Sequence, residues 1–131
     1  MAAPRIMIVE DETIVSWALS IQLESWGYAV SSLESCGSAA IEAFHRDRPD
    51  LILMDINLAD DIDGIRVAET IHRTACVPII FITASQDAAT LVKLNATNPS
   101  CIISKPYSHF LLKKALAEIF TQESPASRAR D

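Results

Sequence analysis

Four short apolar runs each stop at a polar residue, and those polar residues make a chemical set. Ile6-Met7-Ile8-Val9 ends at Glu10-Asp11, Leu51-Ile52-Leu53-Met54 at Asp55, Ile79-Ile80-Phe81-Ile82 at Thr83, and Cys101-Ile102-Ile103-Ser104 at Lys105-Pro106. Acids, a hydroxyl and an ammonium together are the ingredients of a cation-plus-phosphoryl site. Hard carboxylate oxygens without His or Cys suit Mg²⁺, which keeps several waters and takes only one or two protein carboxylates. Asp55 is also a fit nucleophile, able to accept a phosphoryl group as an aspartyl phosphate. Mg²⁺ and Lys105 would then neutralise charge on the transferring oxygens, and Thr83 would donate its hydroxyl to one of them.

Each residue taken singly has a plainer reading. Glu10-Asp11-Glu12 equally suits a helix N-terminus, where acids complement the dipole. Thr83 alone is a strand-end hydroxyl, and Lys105 alone a solvated charge. Placement decides between the readings. Continuous apolar runs of this length, spaced by helical stretches, read as parallel strands covered on both faces. Ligands of an open parallel sheet gather beyond the carboxyl ends of its strands. Two like charges at ~4 Å repel by about 4 kcal/mol at the effective dielectric of a protein surface. Glu10, Asp11 and Asp55 on neighbouring strand ends therefore need a counter-charge or a proton.

The elements that must position this set alternate strand then helix. Strands are expected over Arg5–Val9, Tyr28–Ser32 (short and polar, as an edge strand would be), Leu51–Met54, Pro78–Thr83 and from Cys101. Helices are expected from Thr13 to about Trp26, over Ser38–Arg48, Ile65–Thr74 and Asp87–Asn95, and from a Ser108 cap to about Phe120. The first helix should bury Ile14, Trp17, Ala18 and Ile21, with Trp17 in the core and Gly27 as its C-cap. The second should use Ala40, Ala43 and Phe44, and the last Leu112, Ala115, Leu116 and Ile119. Such alternation implies a three-layer α/β sandwich. Residues 1–121 form one domain, and 122–131 a flexible tail or the start of a linker.

Composition excludes several classes. The chain has 131 residues, half of them hydrophobic, which suits one folded domain with a proper core. A net charge of −6 gives no support to a nucleic-acid-binding domain, which would carry a basic stripe. No apolar stretch reaches membrane-spanning length, and acids at Glu10–Glu12 interrupt any signal-peptide core, so a cytoplasmic location is expected. Cys36, Cys76 and Cys101 lack CxxC spacing and read as reduced, structural thiols. His45, His72 and His109 read as surface helix residues.

Residues 5–120 resemble a receiver domain of the bacterial two-component response regulators. The matching pieces are Ile8-Val9-Glu10-Asp11-Glu12, Leu53-Met54-Asp55-Ile56, Asp63-Gly64, Thr83-Ala84 and Lys105-Pro106. The resemblance implies a flavodoxin-like, doubly wound five-stranded parallel sheet of order 2-1-3-4-5 with five helices. It implies Asp55 as phosphoacceptor, Asp11 as a direct Mg²⁺ ligand, Glu10 acting through a metal-bound water, and the Asn57 backbone carbonyl as a further ligand. Thr83 and Lys105 would sense the phosphoryl group. Three features depart from the common pattern: Glu10 stands for the more usual Asp, and Ile102 for a switching Tyr or Phe. The loop from Asn57 to Gly64 is a residue longer than usual and lacks the usual Pro.

The function implied is a signalling module that takes a phosphoryl group from a histidine kinase or phosphotransfer protein and passes the signal to a downstream effector. It would not be a turnover enzyme, although it would assist its own phosphorylation and dephosphorylation. Self-association would run through the fourth helix, fifth strand and fifth helix. A haloacid-dehalogenase-like phosphatase is the enzymatic alternative. It normally needs a second Asp two residues after the nucleophile, where this chain has Asn57. A receiver that is not phosphorylated and only mediates contacts is the other alternative, and the complete acid, Thr and Lys set argues against it.

Overall fold

The computed structural model describes residues 3–84 and 87–122, so the expected tail lies outside the described residues from 123 onward. The chain runs β1 (Arg5–Val9), α1 (Thr13–Ser25), β2 (Ala29–Glu34), α2 (Gly37–Asp47), β3 (Leu51–Met54), α3 (Gly64–His72), β4 (Ile79–Thr83), α4 (Ala88–Ala96), β5 (Cys101–Ser104) and α5 (His109–Gln122). The strands form one parallel sheet in the order β2-β1-β3-β4-β5, the expected flavodoxin-like topology, with the polar β2 on an edge.

Strand side chains alternate between two cores, as the period of two demands. Met7, Val9, Ile52, Met54, Ile79 and Phe81 face α2, α3 and α4. Ile6, Ile8, Leu51, Leu53, Ile80 and Ile82 face α1 and α5. Burial on both faces explains the unbroken apolar runs. The register is flush where it matters: Val9 pairs with Met54, Met54 with Phe81, and Thr83 with Ser104. Glu10 and Asp55 therefore emerge side by side, while β4 and β5 run on one residue further, to Thr83 and Ser104, at the same edge.

Local signals account for most element ends. Gly27, at φ 94°, follows α1 in a Schellman arrangement: its N–H donates to Glu24 O and the Tyr28 N–H to Leu23 O, each at 3.1 Å. Asp63 caps α3 by accepting from Arg66 N at 2.9 Å, and Asp87 caps α4 by accepting from Thr90 N at 2.7 Å. Ser108 accepts from Leu111 N at 3.4 Å at the head of α5, whose Leu112 and Leu116 are fully buried as expected.

One helix is turned differently from its expected orientation. Ile14, Trp17 and Ile21 are 82, 65 and 56% exposed, and Ala18 is exposed with them. The buried face is instead Ser16, Leu19, Ser20 and Leu23. Both faces have the same helical spacing, so periodicity cannot choose between them. The link from β1 to α1 is only residues 10–12, and it is held at both ends: Glu10 N–H bonds Glu34 O of β2 at 2.9 Å, and Glu12 O already accepts from Ser16 N–H of α1 at 3.0 Å. Short tethering fixes the rotation, and small serines let the helix lie close. Ser20 satisfies its hydroxyl on Trp17 O at 2.6 Å, whereas the buried Ser16 hydroxyl has no partner. The three cysteines are free thiols, but Cys76 is exposed and has no structural role in the core.

This orientation is testable. Leu19→Ala should cost about 2–5 kcal/mol in urea unfolding, as a core truncation does. Ile14→Ala should stay within about 0.5 kcal/mol of wild type. A large loss from Ile14→Ala with little from Leu19→Ala would show that α1 presents the other face.

Candidate functional site

Glu10 and Asp55 leave the ends of adjacent strands and are 4 and 6% exposed. Asp55 N–H donates to Val9 O at 2.9 Å, locking the two ends together. Lys105, just beyond β5, reaches across: its Nζ lies 3.1 Å from Glu10 Oε1 and 3.0 Å from Asp55 Oδ2. Its backbone N–H bonds Thr83 O at 2.8 Å, and its peptide to Pro106 is cis. Asp11 is exposed, yet carboxylate oxygens of Glu10, Asp11 and Asp55 lie within 4.8 Å of one another. Thr83 is fully buried at the end of β4, the strand between those of Asp55 and Lys105. Asn57 is exposed on the β3–α3 loop, and its N–H points to Asp55 Oδ1 at 3.4 Å.

The structure thus joins Glu10, Asp55 and Lys105 by side-chain contact and brings the Asp11 carboxylate close to the other two acids. It sets Thr83 and Asn57 beside them through the backbone. Glu12 is exposed, and its N–H donates to Glu10 Oε2 at 3.3 Å.

Burial and neighbouring charge shift ionisable groups of the cluster. Burial first, then the hydrogen bond and repulsion from Asp55, raise Glu10 to about 7, against the pull of Lys105 and the Glu12 N–H. Burial pulls the Lys105 ammonium down, but its bonds and attraction to Asp55 and Glu10 prevail and hold it above the ordinary lysine range. Three carboxylates facing one ammonium leave an excess matching one divalent cation. The donor set is oxygen only, and exposed Asp11 opens it to solvent, so the residues fit a hard cation.

Two supporting residues were missed or underread in the sequence. Tyr107 is half-buried near Glu10, and burial followed by that carboxylate pushes its phenol up. Gly64 is required by close approach, since a Cβ there would run into the Asp55 carbonyl. The Asp-Gly pair was visible, but that contact needed the fold.

The profile of the response regulator receiver domain matches residues 6–117, and the chain belongs to that family. It is 29% identical over 107 residues to the transcriptional regulatory protein CseB of Streptomyces coelicolor, covering 82% of this chain and 45% of that protein. It is 30% identical over 128 residues to the phyllosphere-induced regulator PhyR of Methylorubrum extorquens, covering 96% of this chain and 47% of that protein. Among solved structures, the signal receiver domain of a modulated diguanylate cyclase from Desulfovibrio desulfuricans superposes with a TM-score of 0.85 at 34% identity, over 92% of this chain and 96% of that one. The chain spans about half the length of the curated relatives it matches, 45% and 51% for the two CseB proteins. The phosphatase alternative finds no support. Receiver domains are generally not turnover enzymes, interact with histidine kinases and effector domains, and typically use Mg²⁺. No helix among the described residues is long and apolar enough to cross a membrane.

The raised Glu10 carboxyl has a stability consequence. Its folded value lies above the ordinary 4.5, so between pH 4.5 and about 7 the folded state holds a proton that the unfolded chain releases. Stability of the metal-free protein therefore falls as pH rises through that window. In EDTA, Glu10→Gln should gain melting temperature relative to wild type on going from pH 5 to pH 8. A difference that stays flat would show that Glu10 titrates like an exposed glutamate.

Proposed function

We propose that Asp55 is the phosphoacceptor of a Mg²⁺-dependent phosphorylation switch. The observation that carries this reading is the Lys105 ammonium held at 3.0 Å from Asp55 and 3.1 Å from Glu10, with Asp11 alongside. Asp55 attacks the phosphorus of a phosphohistidine on a kinase or phosphotransfer protein. A P–O bond forms, the P–N bond breaks, and the electron pair leaves on the donor nitrogen. Asp11 and Asp55 would hold the cation directly, Glu10 through water, with the Asn57 carbonyl as a further ligand. When bound, Mg²⁺ supplies positive charge to the transferring oxygens. Lys105 answers the remaining charge, and Thr83 donates its hydroxyl to the phosphoryl group.

The domain acts as a switch rather than a turnover enzyme, since the group it accepts stays on its own side chain until hydrolysis. Residues 1–121 form the receiver unit. The output is a protein surface of α4, β5 and α5, also the face for a homodimer. The acidic chain does not itself bind nucleic acid, and it works in the cytoplasm. α4 suits the output role because Leu94 is its only fully buried residue among those described, so it can shift at little cost.

Acetyl phosphate with Mg²⁺ should add a single alkali-labile phosphoryl group, and Asp55→Asn should abolish it without unfolding the protein. Full labelling of that variant would overturn the assignment. Calorimetric titration should also show Asp11→Asn losing far more Mg²⁺ affinity than Glu12→Gln. Equal losses would put the acids in a different register around the cation.

A further inference from the structure

The loop from β3 to α3 must carry Asn57 beside the acidic cluster while its middle crosses the start of α2. Its far end is pinned by the Gly64 N–H on Ile56 O at 2.8 Å. Its middle is pinned to α2. The Ala59 N–H bonds Ser35 O at 3.0 Å. Asp60 then accepts through Oδ1 from Gly37 N at 2.8 Å and Ile62 N at 3.3 Å, and through Oδ2 from Ser38 N at 3.1 Å and Ser38 Oγ at 3.0 Å. Ile62 closes the contact, since a Cβ on Gly37 would sit 2.7 Å from both Ile62 Cβ and Ile62 O.

α2 has no cap of its own. Cys36 stands at its N-cap position and makes no side-chain cap bond. The residue that serves instead is Asp60, from the phosphoacceptor loop. Donation from Gly37 N–H, then from Ser38 N–H, holds the Asp60 carboxyl below the usual range. The other acids of the loop are placed differently: Asp63 caps α3, and Asp61 is exposed.

We propose that Asp60 is a positioning residue for the cation site, latching the Asn57 segment of the loop to α2 before the cation arrives. The inference rests on the reading of the acidic cluster as a Mg²⁺ site. A loop without this latch visits the binding-competent shape less often, and apparent affinity falls in proportion to that fraction. Coupling is reciprocal, so a cation that needs the ordered loop must in turn tighten the latch. The first turn of α2 thereby senses occupancy of a site to which it contributes no ligand.

The test uses the full chain, Mg²⁺ titration by calorimetry, and amide hydrogen exchange. Asp60→Ala should raise the Mg²⁺ Kd roughly tenfold, as losing a supporting group of a metal site commonly does. Asp61→Asn, which removes the same charge nearby, should change it little. Asp60→Asn should fall between, because it keeps the acceptor facing Gly37 and Ile62 but turns an NH₂ toward the Ser38 N–H. In wild type, Mg²⁺ should slow exchange at Gly37 and Ser38, and Asp60→Ala should lose that protection. Equal Kd changes in Asp60→Ala and Asp61→Asn would overturn the proposal, as would wild-type Gly37 and Ser38 amides indifferent to Mg²⁺. Should Asp60→Ala not fold, Asp60→Asn and the wild-type exchange decide. A wild type that binds no Mg²⁺ overturns the metal reading itself, and this inference with it, before any variant is made.

Discussion

The ammonium of Lys105 ties together the ends of three strands. It sits between the nearly buried carboxylates of Glu10 and Asp55, with the chain of β4 between its own strand and that of Asp55. Two carboxylates side by side in a poorly solvated niche repel strongly, and removing the partner of a buried charge leaves a penalty of several kcal/mol in typical cases. The rest of the architecture serves this contact. A parallel sheet brings the strand ends to one edge, and two helix layers keep water from both faces. The close seat of Gly64 against the Asp55 carbonyl lets α3 begin beside the site.

The same arrangement leaves the niche short of positive charge. One lysine does not balance the three acids, and burial together with the neighbouring Asp55 raises the Glu10 carboxyl. A cation would relieve it, and a phosphoryl group on Asp55 would renew it, bringing roughly two negative charges. Elements near the niche differ in how firmly they are held. α2 and α3 are packed around Ala40, Phe44, Val67 and Ile71, whereas α4 is anchored chiefly by Leu94. A charge change at the strand ends therefore meets a stiff side and a compliant one, and compliant segments are where switching is cheapest. Ile102 packs against the core on the compliant side and has no polar tip to hold in either position.

The reading of α1 shows where pattern fails. Ile14, Trp17, Ala18 and Ile21 form a better apolar stripe than Ser16, Leu19, Ser20 and Leu23, yet the sheet covers the second set. Hydrophobicity sets how strongly a face is drawn inward, but a three-residue connection to β1 sets which face can arrive there. Strands suffered no such ambiguity. With both faces covered, any rotation buries the same apolar run, so Leu51–Met54 could be read correctly without knowing its neighbours.

What the amino-acid sequence determined by itself was the class of fold and which polar residues gather at the sheet edge. Buried parallel strands announce themselves as continuous apolar runs, and the polar residue that ends each run must lie at one edge of the sheet. Glu10, Asp11, Asp55, Thr83 and Lys105 follow from that local rule. Only the tertiary structure decided the contacts that join distant segments. These include the reach of Lys105 to two carboxylates, the burial beside Asp55 that raises Glu10, the rotation of α1, and the capping of α2 by Asp60 from a loop more than twenty residues away. The physical reason is that a strand end is specified by its own neighbours in the chain. A hydrogen bond or ion pair across segments depends on distances that exist only after the sheet has closed its register.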